Sequence, residues 1–127
     1  MKIVCLEEHV ATPDIIAAWQ ALDPTTRDLA IDKSREADKE RRLLDVGSLR
    51  LAAMDAAGID VAVLSHTAPG VQNLPAAQAV PLARAANDFI ADTVRARPDR
   101  FQASRRWRPR HPRPPRGNSS VRSRSLG

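Results

Sequence analysis

The chain has 127 residues, of which 20 are Lys or Arg and 15 are Asp or Glu, giving a formal net charge of +5. This charge is uneven, because residues 104–127 hold eight Arg and no acidic residue, whereas residues 1–103 carry the other 12 basic groups and all 15 acidic ones. The first 103 residues are therefore mildly acidic, which excludes a protein that is basic over its whole surface.

A single cysteine, Cys5, excludes an internal disulfide and favours a reducing compartment. The apolar run at residues 3–6 is interrupted by Glu7 and Glu8, so it is too short for a signal peptide or a membrane span. We therefore expect a cytoplasmic protein with no membrane partner.

The first predicted elements are a strand and a helix. Residues 3–6 are apolar with β-branched members, which predicts a strand buried on both faces. Residues 13–22 predict a helix that has a proline suited to its first turn and an apolar stripe at helical spacing. That stripe consists of Ile15, Ile16, Ala18 and Trp19. Residues 23–45 are strongly charged with little periodicity, and they predict a surface excursion with room for a short helix.

The rest of the pattern continues as helix, strand, helix and strand. Ser48 is a suitable N-cap for a helix that ends at Gly58, a residue suited to a left-handed C-cap. Residues 59–65 predict a second buried strand, and residues 76–97 predict a long helix. Residues 101–103 predict the opening of a third strand.

The order β-α-β-α-β predicts a parallel sheet with right-handed crossovers, in either an open doubly wound sheet or a closed (β/α)8 barrel. No Gly-rich phosphate-binding motif follows the first strand, which disfavours a dinucleotide-binding fold. A complete barrel needs about 250 residues, so roughly 100 residues can form only part of one.

The candidate chemistry lies at the end of the first strand. Strand alternation predicts that Glu7 and His9 share one face with Cys5, while Leu6 and Glu8 share the other. A carboxylate and an imidazole at this position are good ligands for zinc or manganese, at the edge where barrel enzymes hold their active sites. The alternative is that both are ordinary polar residues at a strand end.

Several ordered stretches together resemble one family. They are Leu6-Glu7-Glu8-His9, Arg50-Leu51, residues 54–60, Leu64-Ser65, residues 67–72, Ala86-Asn87-Asp88 and residues 97–101. The chain resembles the amidohydrolase-related family of metal-dependent barrels, and in particular its hydroxybenzoate (γ-resorcylate-type) decarboxylase branch. The resemblance covers residues 1–103 and implies an α/β fold, the N-terminal third of a (β/α)8 barrel.

The resemblance also implies a metal site and a substrate class. Glu7 and His9 match the family's first-strand ligands for a divalent metal, zinc or manganese, which holds a small hydroxy-carboxylic acid. Decarboxylases of the family replace CO₂ by a proton from an acidic residue near the end of the barrel. Hydrolytic relatives use the metal to activate water instead. The family's later ligands, two His and an Asp, have no counterpart here, where the other His residues are His66 and His111. We therefore assign no catalytic residue, and we expect an inactive fragment that binds metal weakly or not at all.

Two further residues are candidates for contacting substrate. His66 lies at the end of the second strand, on the catalytic face of a barrel, and Thr67 opens the loop that follows. For His66 we favour a core or hydrogen-bonded histidine over a ligand. The loop over residues 67–72 could equally serve only to shape a turn.

Residues 104–127 differ in composition from the rest, being rich in Arg, Pro and Ser and lacking Ala, Lys, Asp and Glu. One interpretation is a nucleic-acid-binding arm in which Trp107 stacks on bases, which would make the chain a non-enzymatic binding protein. Another is a disordered, solvated extension. A third is translation out of frame.

The out-of-frame interpretation is the one we favour, over a nucleic-acid partner. Residues 1–103 contain 21 Ala, so their gene is expected to be rich in GC codons, which read as Arg and Pro one base out of register. Back-translation with GC-rich codons and a one-base shift restores the strand and an Ala/Glu/Leu helix. A partial barrel also leaves two sheet edges unpaired, so we expect the fragment to self-associate or to be unstable.

Overall fold

The structure, a computed structural model, describes residues 1–36 and 38–104. Within them, three strands form one parallel sheet in the order β1-β2-β3, with β1 at Val4–Val10, β2 at Val61–His66 and β3 at Phe101–Ala103. The helices are α1 (Pro13–Gln20), α2 (Leu29–Ser34), α3 (Lys39–Leu44), α4 (Ser48–Ala56) and α5 (Ala76–Ala96). The predicted β-α-β-α-β order and the parallel sheet are confirmed. The predictions made for residues 105–127 lie outside the described residues.

The main core lies between the sheet and two helices. Ala62 and Leu64 on β2 and Phe101 on β3 are fully buried, and they pack with Met54 of α4 and Ile90 of α5. Ala62 pairs with Phe101 across the sheet, so a small side chain lies beside a large one. This packing buries the apolar stripe of each helix against the sheet, as crossover helices of a parallel sheet require.

A second core forms around α1. Ile15, Ile16 and Trp19 are buried as the helical stripe predicted, and they pack with Ile31 of α2. The indole Nε1 of Trp19 donates a hydrogen bond of 2.8 Å to the carbonyl of Gly70, in the turn that follows β2. The charged excursion at residues 23–45 contains two short helices, α2 and α3. Ile31, its one fully buried aliphatic side chain among the described residues, anchors the excursion to α1.

The prediction that the first strand is buried on both faces is wrong. Ile3, Val4 and Leu6 keep 42%, 45% and 70% of their surface exposed. The reason is the position of β1, which lies at an edge of the sheet, where the described residues place no further strand beside it. The second strand, in contrast, lies between two others, and its residues are either buried or half-buried.

The prediction of Ser48 as an N-cap is also wrong. Ser48 is the first residue of α4, and the helix start is held by the Asp45 carboxylate instead. Its Oδ1 accepts hydrogen bonds from the backbone N–H of Gly47 at 3.1 Å and of Arg50 at 2.9 Å. At the other end, Gly58 has the predicted left-handed conformation, with φ of 69°.

None of the helices in the described part of the chain is both long enough and apolar enough to cross a membrane.

Candidate functional site

A β-bulge in β1 shapes the candidate site. Cys5 pairs with Ala62 and Glu8 pairs with Leu64, so three residue steps on β1 face two on β2. The extra residue is accommodated at Glu7, whose φ of 59° lies in the left-handed region that residues with a side chain seldom adopt.

The bulge reverses part of the predicted alternation. Cys5 lies on the same side of the sheet as Glu8, and its Sγ donates a hydrogen bond of 2.8 Å to Glu8 Oε1. His9 pairs with Ser65 and so lies on the opposite side from Glu8. The prediction that Cys5 shares a face with His9 is therefore wrong, because one inserted residue changes the face of everything before it.

Glu7 and His9 are exposed at the carboxyl end of β1, where they line the same cavity of about 430 Å³. His66 at the end of β2 and Ser104 after β3 line it too. A neighbouring cavity of about 630 Å³ brings Thr67 next to the same two residues. The structure thus places all four predicted site residues at one edge of the sheet, which is the edge that carries chemistry in barrel enzymes.

His66 is half-buried between the sheet and α5. Burial lowers the pKa of its imidazole, and a hydrogen bond with the backbone of Ala86 opposes this effect. The ring is therefore neutral at pH 7, with one nitrogen able to donate and one able to accept. Its contact with α5 fits the structural alternative, while its place in the cavity wall fits contact with substrate.

Arg50 lines the larger of these two cavities, and its contacts were not predicted from the sequence. Its guanidinium Nη2 donates a hydrogen bond of 2.8 Å to the carbonyl oxygen of His9, and Nη1 lies 3.4 Å from Glu8 Oε2. Burial lowers the pKa of Arg50, which the charges of Glu8 and Asp45 oppose, and the group stays protonated at any physiological pH. These contacts join residues more than 40 positions apart, so no local pattern could have predicted them.

Glu7 and His9 supply a carboxylate and an imidazole, a donor pair that suits zinc or manganese. A catalytic zinc ion usually has three protein ligands. Within the described residues, no group of three or more His, Cys, Asp or Glu side chains lies close enough together to hold a metal ion. The chemistry of the pair fits a metal, to which Glu7 and His9 could contribute two ligands.

Comparison with known proteins places these features in a family context. No family model matches the chain. Over 101 residues it is 41% identical to the gamma-resorcylate decarboxylase of Rhizobium radiobacter, a match that covers 79% of this chain and 28% of the relative.

Two solved structures resemble the fold closely. The 5-carboxyvanillate decarboxylase of Novosphingobium aromaticivorans, complexed with manganese and 4-hydroxy-3-methoxy-5-nitrobenzoic acid, matches with a TM-score of 0.70 and 36% identity, over 80% of this chain and 32% of that one. A dihydroxybenzoic acid decarboxylase from Polaromonas, with bound manganese and the inhibitor 2-nitroresorcinol, gives a TM-score of 0.59 and 34% identity, over 81% of this chain and 29% of that one.

The sheet, its crossovers and these matches define the described residues as part of an amidohydrolase-type (β/α)8 barrel. Within that class, the chain belongs to the branch that contains the γ-resorcylate and 5-carboxyvanillate decarboxylases, as its sequence motifs predicted. It spans less than a third of the length of the curated relatives that it matches.

Proposed function

We propose that this chain is part of a metal-dependent decarboxylase of aromatic hydroxy acids, and that Glu7 and His9 supply two ligands of its divalent metal. The observation that carries the proposal is their shared position in one cavity at the carboxyl end of the sheet. The manganese in two related structures favours manganese over zinc. The decarboxylase activity named for the relatives favours loss of CO₂ over hydrolysis.

The proposed function accounts for the strained conformation that the bulge imposes on Glu7. A left-handed non-glycine residue costs on the order of 1–3 kcal/mol, and such residues cluster at functional sites. Bulges next to active sites redirect a side chain that a regular strand would point elsewhere. In the proposed function, the bulge would direct the Glu7 carboxylate into the cavity where Glu7 and His9 would hold the metal. The metal, when bound, supplies the positive charge that orients a hydroxy-carboxylate.

His66 and Thr67 form the proposed wall of the substrate cavity. The backbone N–H of Thr67 donates a hydrogen bond of 3.0 Å to the carbonyl of Val10, which holds the start of the loop against the end of β1. The Thr67 hydroxyl can then hydrogen-bond a substrate, and the His66 ring forms part of the same wall.

We further propose that the 127-residue chain alone does not decarboxylate. Decarboxylation needs a proton donor for the carbon that loses CO₂. Among the described residues that line the two cavities at this edge, the carboxyl groups are those of Glu7 and Glu8. Glu7 is assigned to the metal, and Glu8 is engaged by Cys5 and Arg50, so neither is available to donate that proton.

The test of the ligand assignment is NMR of the full chain during titration with Mn²⁺, a paramagnetic ion that broadens the signals of nearby nuclei. We expect weak binding, which this broadening can detect: the ring signals of His9 should broaden in the wild type and broaden much less in Glu7→Gln. Glu36→Gln, which removes an exposed carboxylate of the same type on the surface excursion, is the matched control and should behave as wild type. Equal broadening of His9 in the wild type and in Glu7→Gln would contradict the assignment.

A further inference from the structure

We propose that Arg50 is the positioning residue of this site, and that its guanidinium holds the end of β1 in the conformation that presents His9. The proposal rests on the assignment of Glu7 and His9 as metal ligands for its functional meaning. Its structural part, the hold on β1, stands on the contacts of Arg50 alone.

The guanidinium makes contacts in three directions. Nη2 donates to the carbonyl of His9 at 2.8 Å and to the carbonyl of Arg42 at 2.9 Å. Nε donates to the carbonyl of Asp45 at 2.8 Å, and Nη1 lies 3.4 Å from Glu8 Oε2. The planar group thus joins the end of β1 to the end of α3, with 11% of the Arg50 side chain exposed.

The partners on α3 are groups that need a donor. The carbonyls of Arg42 and Asp45 belong to the last turn of the helix and the residue after it, where carbonyl groups lack partners within the helix. The negative end of the helix dipole also favours a cation there. An arginine satisfies several such carbonyls with one rigid fork, which the single ammonium group of a lysine does not.

Arg50 is itself held in place by Asp45. The Asp45 carboxylate accepts from the backbone N–H of Arg50 at 2.9 Å, while the Asp45 carbonyl accepts from its side chain. Backbone and side chain of Arg50 are therefore fixed by the same residue. Through Arg50, the position of α4 therefore determines the positions of the His9 backbone and the Glu8 carboxylate, which flank the bulge.

Arg100 offers a matched control at the opposite end of the strands. Its Nε donates to the carbonyl of Asp60 at 3.0 Å, and its Nη2 donates to Asp55 Oδ1 at 2.7 Å and to the carbonyl of Ile59 at 3.3 Å. It is thus a comparably bonded arginine that contacts neither β1 nor the cavities at the carboxyl edge.

The first measurement is amide hydrogen exchange of the full chain without metal. The N–H of Ala11 bonds to the carbonyl of Leu43, and the N–H of Thr67 bonds to that of Val10, so both report on the residues beside His9. Arg50→Lys should speed exchange of Ala11 and Thr67 about tenfold, because hydrogen bonds to a charged group are each worth about 1.5–3 kcal/mol. Ala62, bonded to the carbonyl of Arg100, should not change.

Arg100→Lys should give the reverse pattern, with faster exchange at Ala62 and unchanged exchange at Ala11 and Thr67. Equal acceleration of all three amides in both variants would reduce Arg50 to a general contributor to stability and would overturn the proposal. Unchanged exchange of Ala11 in Arg50→Lys would overturn it as well.

The second measurement repeats the Mn²⁺ titration in both variants. Arg50→Lys should need several-fold more Mn²⁺ than wild type to broaden the His9 ring signals equally, and Arg100→Lys should need the same amount as wild type. Equal Mn²⁺ requirements in Arg50→Lys and wild type would overturn the role in metal binding. Absence of His9 broadening in the wild type would contradict the proposed function, and the exchange measurement would still decide whether Arg50 holds β1.

Discussion

The thiol of Cys5 donates a hydrogen bond of 2.8 Å to the carboxylate of Glu8, across the bulge at Glu7. The hydrogen bond and, less strongly, burial and the nearby negative charge raise the pKa of Cys5 above its ordinary value of 9.0. Because only the thiolate is reactive, this contact makes the cysteine less reactive than an ordinary thiol.

Removing the carboxylate charge should therefore activate Cys5. We expect Glu8→Gln to lower the pKa of Cys5 and to speed its alkylation by iodoacetamide at pH 8, which can be followed cleanly because the chain has one cysteine. Glu36→Gln should leave the rate unchanged. A rate in Glu8→Gln equal to or below that of wild type would mean that the contact does not form in solution.

The bulge should determine which residues at position 7 keep the folded chain stable. Glycine tolerates the left-handed conformation, whereas a β-branched residue there is penalised by about 1–2 kcal/mol. We therefore expect Glu7→Gly to be more stable than Glu7→Val by about 1 kcal/mol in urea unfolding. A regular strand favours valine over glycine, so the opposite order of stability would refute the bulge.

The contrast between α1 and β1 indicates what the sequence could predict. The apolar stripe of α1 was correctly predicted because helical periodicity is a local property, and Gly58 was predicted because few residues other than glycine adopt its conformation. The bulge at Glu7, in contrast, cannot be recognised from the order of the residues around it. The exposure of Leu6 depends on which strands are present beside β1, which a local pattern does not specify.

The residues of the candidate site also include some whose position could be predicted from the sequence and one whose contacts could not. Glu7, His9, His66 and Thr67 could be predicted to lie near one another because they follow predicted strands, and parallel strands end at one edge of a sheet. The contacts of Arg50 could not be predicted because they involve the last turn of α3 and the end of β1, which only the fold brings together.

His66 should make stability depend on pH. Its pKa in the folded chain lies below the ordinary value of 6.5, so between these two values the unfolded chain binds more protons. The free energy of unfolding should therefore fall as the pH drops from 7 through this window. His66→Gln should weaken that dependence when both proteins are unfolded by urea from pH 7 to pH 5. An unchanged slope would show that His66 is not buried in solution.

The exposed edge of β1 should make the chain self-associate. Unpaired sheet edges with apolar side chains are templates for strand pairing, and Leu6 is 70% exposed there. We expect concentration-dependent association in sedimentation velocity, reduced by Leu6→Lys. Leu29→Lys is the control, since Leu29 is 74% exposed but lies on α2. Equal association of both variants would exclude the edge as the interface.

His9, together with Glu7, is proposed to bind a divalent metal directly. Electron spin-echo envelope modulation of the chain with Mn²⁺ detects the nitrogen of a coordinating imidazole. We predict a nitrogen modulation in the wild type that disappears in His9→Ala and persists in His66→Gln. A modulation that persists unchanged in His9→Ala, or that is absent from the wild type at saturating Mn²⁺, would contradict the metal site proposed for this chain.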